Sequence, residues 1–156
     1  MIFVTVGTHY LGFTRLIKKI DELACLIDEE IIAQIGNTNY KPKNIKYFTF
    51  IEDEKKIMEL YEKARVIVTH GGAGTILTLS NFNKKIIVVP RLKKFNEHVD
   101  DHQLELAEFL EKEKKVTVVY DIEDLHKSLC SVKEFSIKSN NDLGIFLKKY
   151  IMIIDQ

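Results

Sequence analysis

A glycine-rich segment after the fourth apolar run is the part of the sequence best suited to bind an anion. It reads His70-Gly71-Gly72-Ala73-Gly74-Thr75. Glycines let backbone N–H groups approach a ligand without obstruction by a Cβ atom. We expect Thr75 to open a helix whose N-terminal N–H groups and dipole favour negative charge, with His70 as an added donor. The alternative is a tight strand-to-helix turn whose glycines serve packing alone.

Two common nucleotide-binding signatures do not occur in this sequence. The segment after the first apolar run, residues 7–12, has two glycines where a dinucleotide-binding loop has three. The Gly-Lys-Ser/Thr of a phosphate-binding P-loop is absent as well. Simple dinucleotide binding is therefore a weaker interpretation than an anion site of another type.

A second polar segment, residues 96–103, combines carboxylates, imidazoles and amides at the predicted start of a helix. Such groups suit recognition of sugar hydroxyls, which need paired donors and acceptors. Acidic residues in a first helical turn also serve as caps, so Asp100 and Asp101 have a structural alternative. A metal site of His98, His102 and Asp101 is a further alternative, since the two histidines are four residues apart. The sequence offers no further ligand cluster, and we predict no metal.

Short β-branched runs alternate with amphipathic segments, which is typical of an α/β fold with a Rossmann-like, doubly wound parallel sheet. The predicted strands are residues 2–6, 31–35, 45–51, 65–69, 86–89 and 116–119. The predicted helices cover residues 13–27, 57–64, 76–79, 99–110, 122–131 and 141–154. Ligands of open parallel sheets bind beyond the carboxyl ends of the strands. Residues 7–9, 70–75 and 91–103 are thereby predicted to meet at one edge.

Length and composition limit the domain organisation and the classes of function that the sequence allows. With 156 residues the chain is predicted to be one domain, 1–156, with a possible flexible linker at 131–141 before a C-terminal helix. The 23 basic and 23 acidic side chains balance, which argues against a dedicated nucleic-acid binder. Residues 1–9 lack a basic leader and predict a first strand instead of a signal peptide. Cys25 and Cys130 are expected to be buried free thiols of a reducing cytoplasm.

Three motifs in this order, VTHGGAGT, VVPR and EHVDDHQLELA, resemble the C-terminal domain of family 28 glycosyltransferases. That domain is the nucleotide-sugar half of the two-domain GT-B architecture. The opening MIFVTVGTH and the length are similar to the small subunits of split bacterial transferases that make exopolysaccharide and capsule repeat units. They are also similar to the catalytic subunit of the eukaryotic transferase that uses UDP-GlcNAc and a dolichol-linked acceptor. The resemblance covers about residues 1–120.

The resemblance implies a site for a UDP-sugar donor. Its diphosphate would contact Gly7, Thr8, His9, His70, Gly71, Gly72, Ala73, Gly74 and Thr75. Its uracil would contact Phe50 and Ile51, and its sugar hydroxyls would contact Glu97, Asp101, His102 and Gln103. One position departs from the family pattern. Many relatives have a ribose-binding glutamate eight residues after the loop histidine, where this chain has Thr78.

The resemblance also implies a membrane-anchored partner subunit that completes the cleft and binds a polyprenyl-diphosphate-linked acceptor glycan. The general base would then come from the partner, with His9 as a local alternative because imidazole titrates near neutrality. No metal or other cofactor is expected if backbone donors neutralise the leaving diphosphate. The protein would be cytoplasmic, held at the inner face of the plasma membrane by its partner.

Several alternatives stay open at this stage. The chain is a UDP-sugar-dependent hexosyltransferase subunit in our first interpretation, and a non-catalytic scaffold subunit in the second. A third is a stand-alone nucleotide-binding regulator of flavodoxin-like shape. Apolar residues between 145 and 154 either pack on their own domain or dock on the partner. Residues 97–103 do not distinguish one transferred sugar from another.

Overall fold

The computed structural model describes residues 1–131, 145, 147, 148 and 150–152. Its strands are β1 (Ile2–Thr5), β2 (Ile31–Gln34), β3 (Lys46–Phe48), β4 (Val66–Thr69), β5 (Lys85–Val88) and β6 (Thr117–Val118). Its α-helices are α1 (Thr14–Leu23), α2 (Glu54–Lys63), α3 (Ala73–Leu79), α4 (His102–Lys112) and α5 (Leu125–Ser131). Short 3-10 turns cover Ala24–Leu26, Lys93–Phe95 and Ile122–Asp124. Every predicted strand is present, although most are shorter at one or both ends.

The six strands form one parallel sheet in the order β3-β2-β1-β4-β5-β6. Strand β1 lies at the centre, where Thr5 is level with Gln34 of β2 and Thr69 of β4. The chain moves outward through β2 and β3, then returns past β1 to begin β4. The strand order therefore reverses between β1 and β4, which is the position where doubly wound folds bind ligands. The predicted fold class is confirmed.

Helices cover both faces of the sheet because successive side chains of a strand point to opposite sides. Ile2 and Val4 belong to a core cluster with buried residues of α1 and α5. Phe3, between them, belongs to a second cluster with buried residues of α2, α3 and α4. Leu147, from the helical residues near the C-terminus, packs in the second cluster. The sheet is thereby buried on both sides, and its carboxyl edge is left for the loops.

The helix starts differ from their predictions. Helix α1 begins at Thr14 instead of residue 13, α2 begins at Glu54 instead of residue 57, and a 3-10 turn precedes α5, which begins at Leu125 instead of residue 122. The helix predicted from residue 99 begins at His102, because the Asp100 carboxylate accepts the His102 N–H at 3.1 Å and the His98 ring lies 2.9 Å away. These contacts hold residues 98–101 as bends ahead of the helix. Helix α3 begins at Ala73, before the predicted Thr75.

The prediction of buried cysteines is wrong, since Cys25 and Cys130 are both exposed. Cys25 lies in the 3-10 turn beyond the end of α1, and Cys130 lies on the outer face of α5. Ser131, the first residue of the linker predicted at 131–141, is the last residue of α5, and the rest of that linker lies outside the described residues. Within the helix predicted at 141–154, the described residues are 145, 147, 148 and 150–152, and all of them are helical. In the part of the chain that is described, no helix has the length and apolar character needed to cross a membrane.

Candidate functional site

A cleft of about 450 Å³ lies at the carboxyl edge of the sheet, beside the ends of β1 and β4. That volume falls within the usual range of small-molecule sites. Its described lining residues are Thr5, Gly7, Thr8, His9, Gln34, Ile51, Ile57, Tyr61, His70, Gly72, Gly74, Thr75 and Gln103. Nine of these come from the predicted site, namely Gly7, Thr8, His9, Ile51, His70, Gly72, Gly74, Thr75 and Gln103. Segments that are far apart in sequence therefore meet at the expected edge.

Gly71 and Gly72, in the loop before α3, and Gly74, the second residue of α3, are not glycine for the same structural reason. A Cβ atom on Gly71 would lie 2.7 Å from the carbonyl oxygen of Gln103, and one on Gly72 would collide with the His70 ring. Packing therefore explains both of these glycines. A Cβ atom on Gly74 would meet nothing within 4 Å, and Gly74 lines the cleft. Packing gives no reason for glycine at this third position, whereas access of a ligand to the backbone does.

Helix α3 has N–H groups at its N-terminus that no carbonyl within the helix accepts. Gly72 is the capping residue and has no side chain to cap the helix, and the Ile76 N–H donates to its carbonyl at 3.1 Å. The N–H groups of Ala73, Gly74 and Thr75 precede that bond and have no acceptor within the helix. Two of these residues, Gly74 and Thr75, line the cleft. Free N–H groups at a helix N-terminus suit an anionic ligand.

His70 is held between two backbone segments. Gly7 has a φ of +71°, and a Cβ atom there would lie 2.5 Å from His70 Cε1, while Gly72 closes the other side of the ring. Burial, and after it the positive charge of Arg91, lowers the pKa of His70 to about 4, with a hydrogen bond to the Thr5 backbone opposing the shift. His70 is therefore neutral at neutral pH and contributes hydrogen bonding to the cleft without charge.

His9, in the loop after β1, is oriented by its neighbours. Its Nδ1 accepts the N–H of Leu11 at 3.2 Å, and its ring stacks on that of His98 at a centroid distance of 4.6 Å. Burial, followed by the charge of His98, lowers the pKa of His9. The hydrogen-bond network thus assigns the proton of the neutral ring to Nε2. In this arrangement His9 is a donor, and its basic nitrogen is already occupied.

The amide of Gln103 has its two ends in different roles. Its Oε1 accepts the backbone N–H of Gly71 at 3.1 Å and that of Arg91 at 3.2 Å. The oxygen is thereby committed to joining the loop before α3 to the loop after β5. No bond from the Nε2 group to a described residue is present, so Gln103 can donate to a bound molecule while its oxygen supports the fold.

The other predicted site residues lie outside the cleft lining. Glu97 is buried and receives two hydrogen bonds from Arg15, at 2.8 and 2.9 Å. Asp101 accepts the backbone N–H of Lys93 at 2.9 Å, which supports the 3-10 turn there. His102 is exposed. Gly71 and Ala73 flank lining residues, and Phe50, next to the lining residue Ile51, is 44% exposed.

The described side chains of His98, His102 and Asp101 do not form the metal site that was considered as an alternative. His98 and His102 both approach Asp100, with His98 Nδ1 at 2.9 Å and His102 Nε2 at 3.7 Å from its carboxylate oxygens. Asp101 is directed to the Lys93 backbone instead. Among the residues that the structure describes, no group of three or more His, Cys, Asp or Glu side chains is arranged to hold a metal ion.

The described lining of the cleft contains no Asp, Glu, Lys or Arg side chain. Its polar groups are hydroxyls, imidazoles, amides and backbone N–H groups. Thr5, Gln34, Ile57 and Tyr61 line the cleft but were not predicted. Thr5 and Gln34 end adjacent strands and are hydrogen bonded at 2.7 Å, so their position after an apolar run was the available signal. Thr78 lies outside this lining, where its hydroxyl donates to the Gly74 carbonyl at 3.2 Å.

Relatives at the sequence level include a transferase subunit from two mammals. The chain is 32% identical over 122 residues to human "UDP-N-acetylglucosamine transferase subunit ALG13", an alignment that covers 72% of this chain and 10% of that protein. It is 30% identical over 121 residues to the Mus musculus protein of the same name, covering 71% and 10%. The aligned part of the chain thus spans about a tenth of the length of these curated relatives.

Solved structures show the same fold. MurG of Acinetobacter baumannii superposes with a TM-score of 0.60 at 22% identity, over 85% of this chain and 41% of that one. A glycotransferase of kitacinnamycin superposes with a TM-score of 0.59 at 18% identity, over 85% and 35%. These neighbours are GT-B glycosyltransferases, so the architecture is that of a Rossmann-like domain of a GT-B protein. The model of the glycosyltransferase family 28 C-terminal domain matches residues 1–142, and the chain belongs to that family.

Proposed function

We propose that this chain is the donor-binding subunit of a two-component glycosyltransferase. It binds a UDP-sugar in the cleft beside β1 and β4 and acts as a UDP-sugar-dependent hexosyltransferase when its partner is present. Family membership supports the transferase class. The name of the mammalian relatives, a UDP-N-acetylglucosamine transferase subunit, supports both the nucleotide and the two-component organisation.

The observation that carries the proposal is the set of N–H groups at the start of α3 that have no acceptor within the helix. Two of the residues that carry them, Gly74 and Thr75, line a cleft whose described lining has no carboxylate to repel an anion. The diphosphate of a nucleotide sugar matches these donors, with Thr8 and His9 closing over it from the loop after β1. Ile51 lies where the uracil would pack, and the free Nε2 of Gln103 is available to an oxygen atom of the donor.

The chemistry follows from where charge develops during transfer. Breaking the bond between the sugar and the diphosphate leaves negative charge on the departing UDP. Backbone donors that are already oriented stabilise that charge, and loss of one such donor typically costs about 3 kcal/mol in the barrier. We therefore expect transfer without a metal cofactor. A transferase assay in excess EDTA tests this expectation, and activity should persist.

The acceptor side of the reaction is assigned to the partner. We propose a membrane-anchored subunit that presents a polyprenyl-diphosphate-linked glycan, as in exopolysaccharide or capsule assembly, and that supplies the general base. His9 is poorly arranged for that role because its Nδ1 already accepts the Leu11 N–H. The chain would then work in the cytoplasm, at the inner face of the membrane through this partner.

Thr78 favours a second candidate, a scaffold subunit that binds the partner and no donor. Its side chain is short and bonded to the Gly74 carbonyl, so a ribose-binding carboxylate is missing from this position. The two candidates differ in one measurable property, the affinity of the chain for UDP.

Calorimetric titration of the full chain with UDP tests the proposal, with Gln103→Glu and Gln103→Leu as paired variants. A carboxylate at 103 keeps an acceptor for the N–H groups of Gly71 and Arg91 but replaces the free donor with negative charge. We expect the Glu variant to fold normally and lose UDP binding, and the Leu variant to lose stability as well. Wild-type protein that binds neither UDP nor UDP-sugars, alone or with its partner, would refute the donor-binding role and favour the scaffold.

A further inference from the structure

Arg91 is the one basic side chain that the described core encloses completely. It follows the apolar run of β5 and Pro90, and it has an exposed fraction of 0%. A buried arginine is expensive unless its donors are satisfied, because burial removes the hydration of its charge. Its contacts therefore indicate what it is placed to do.

Four backbone carbonyls surround the Arg91 guanidinium. They belong to Val6 at 2.8 Å, Leu11 and Gly12 at 2.9 Å each, and Glu97 at 3.1 Å. The ring of Phe13 lies against the guanidinium, with its centroid 4.7 Å from Cζ. The first three carbonyls belong to the end of β1 and the loop after it, and the fourth belongs to the loop after β5. Arg91 therefore joins two loops, and the first of them contributes Gly7, Thr8 and His9 to the cleft.

Among the described residues, no carboxylate contacts Arg91 directly, since all four side-chain acceptors are neutral carbonyls. The Glu97 carboxylate favours the charge of Arg91 from a distance, but Arg15 binds both of its oxygens at 2.8 and 2.9 Å. Two guanidinium groups thus share one carboxylate, which leaves a net positive charge. Burial lowers the pKa of Arg91 to about 10, with Glu97 opposing, so the side chain remains charged at neutral pH.

The charge of Arg91 reaches the cleft. It contributes to the lowered pKa of both His70 and His9, two residues of the lining. The backbone N–H of Arg91 also shares Gln103 Oε1 with that of Gly71. The described lining itself has no charged side chain, so Arg91 is a nearby positive charge that a bound anion would experience without contact.

We propose that Arg91 is a positioning residue that fixes the loop after β1 against the loop after β5 and places an unneutralised positive charge behind the cleft, where it attracts the diphosphate without touching it. This inference rests on the proposed function for the identity of the ligand. The inference assigns two separable roles to the Arg91 side chain, which are positioning of the loops and attraction of the diphosphate. Loop positioning needs the guanidinium geometry, whereas attraction of the diphosphate needs only the charge.

Two ligands that differ in charge test the inference. NMR titrations of the full chain with UDP and with uridine give the ratio of the two affinities for the wild type, Arg91→Lys and Arg91→Met. Arg65→Met is the matched control, because Arg65 precedes β4 at the opposite edge of the sheet, where it pairs with Glu29. Both Arg→Met variants remove one positive charge, but only one removes it beside the cleft.

We expect Arg91→Met to lower the UDP-to-uridine affinity ratio about tenfold, the effect of a partly screened charge interaction of about 1.4 kcal/mol. Arg91→Lys should retain most of the ratio while weakening both ligands through the lost loop contacts, and Arg65→Met should keep the wild-type ratio. Should Arg91→Met fail to fold, Arg91→Gln removes the same charge and keeps an amide donor for the carbonyls.

An unchanged ratio in a folded, uncharged variant overturns the inference, because it leaves Arg91 a structural role alone. Equal losses in Arg91→Met and Arg65→Met also overturn it, since they reduce the effect to net charge. If Arg91→Lys folds but neither Arg91→Met nor Arg91→Gln does, the charge is needed for folding. This result also counts against the inference. Wild-type protein that does not bind UDP is a different result, which refutes the proposed function itself.

Discussion

Substituting Gly74 with alanine is expected to change stability and ligand binding in opposite directions. Gly74 is the second residue of α3, and a Cβ atom there meets nothing within 4 Å. Replacing a helical glycine with alanine therefore stabilises the fold by roughly 0.5–1 kcal/mol. For a domain of this size each kcal/mol shifts the melting temperature by about 2–4 °C, so we expect a rise of about 1–4 °C.

The same methyl group occupies space beside the backbone N–H groups that we assign to the diphosphate. If it displaces one charged hydrogen bond, the cost is about 1.5–3 kcal/mol, which is about a tenfold to hundredfold loss in UDP affinity. Thermal unfolding and calorimetric titration of the same sample measure both effects. Gly72→Ala is the matched control, because its Cβ would collide with His70 and should lower stability as well as binding.

Two results would refute this reasoning at different steps. A stabilised Gly74→Ala variant with wild-type UDP affinity would mean that the nucleotide does not lie at the start of α3. A destabilised variant would mean that the space beside Gly74 is not open in the folded protein. General damage to the fold would lower both stability and UDP affinity. A variant that is more stable but binds UDP more weakly therefore indicates a local effect on the binding site.

Three further predictions concern ionisable groups. Glu97→Gln should lower the free energy of unfolding by about 3 kcal/mol in chemical denaturation, because it breaks a buried pair with Arg15; an unchanged value would favour direct ligand binding by Glu97. His70 should titrate near pH 4 in NMR, since burial lowers its pKa, and a midpoint near 6.5, the ordinary pKa of histidine, would contradict the packing between glycines. Hydrogen bonding to Arg65 lowers the pKa of Glu29 from 4.5 to about 2, so its stabilising effect is complete above pH 4.5 and is lost as the pH falls towards 2. Glu29→Gln should therefore flatten the acid side of the stability profile, and an unaltered slope between these pH values would exclude the ion pair.

The sequence predicted the fold because its signals are local and repeat along the chain. Apolar runs such as residues 2–6 and 65–69 are long enough to indicate buried parallel strands, and the amphipathic segments between them follow helical spacing. Helix starts were less predictable. The Asp100 carboxylate holds the bends before α4 through contacts with His98 and His102, and apolar periodicity does not report such polar contacts.

The site could be predicted where glycines and backbone N–H groups define it. It was harder to predict where the role of a side chain depends on a hydrogen-bond partner that is distant in the sequence. The loop before α3 is visible in the sequence as glycines after an apolar strand. The role of Glu97 depends instead on Arg15, a residue far away in the sequence that binds its carboxylate. A carboxylate in a polar segment looks the same in a sequence whether it binds a sugar or a buried guanidinium. Arg91 lies in the segment 91–103 that was predicted to reach this edge, but it was given no role, because its side-chain acceptors are backbone carbonyls and side-chain types do not reveal them.

The distribution of donors and acceptors around the cleft supports a half-site. The described lining supplies N–H groups, hydroxyls and the free amide nitrogen of Gln103, all of which can stabilise a departing diphosphate. It supplies no carboxylate, the lowered pKa values of His9 and His70 make both imidazoles weak bases, and the Nδ1 of His9 already accepts the Leu11 N–H. Glycosyl transfer needs both stabilisation of the leaving group and removal of a proton from the acceptor hydroxyl. A site rich in the first capacity and poor in the second is what we expect of a subunit whose partner brings the base together with the acceptor.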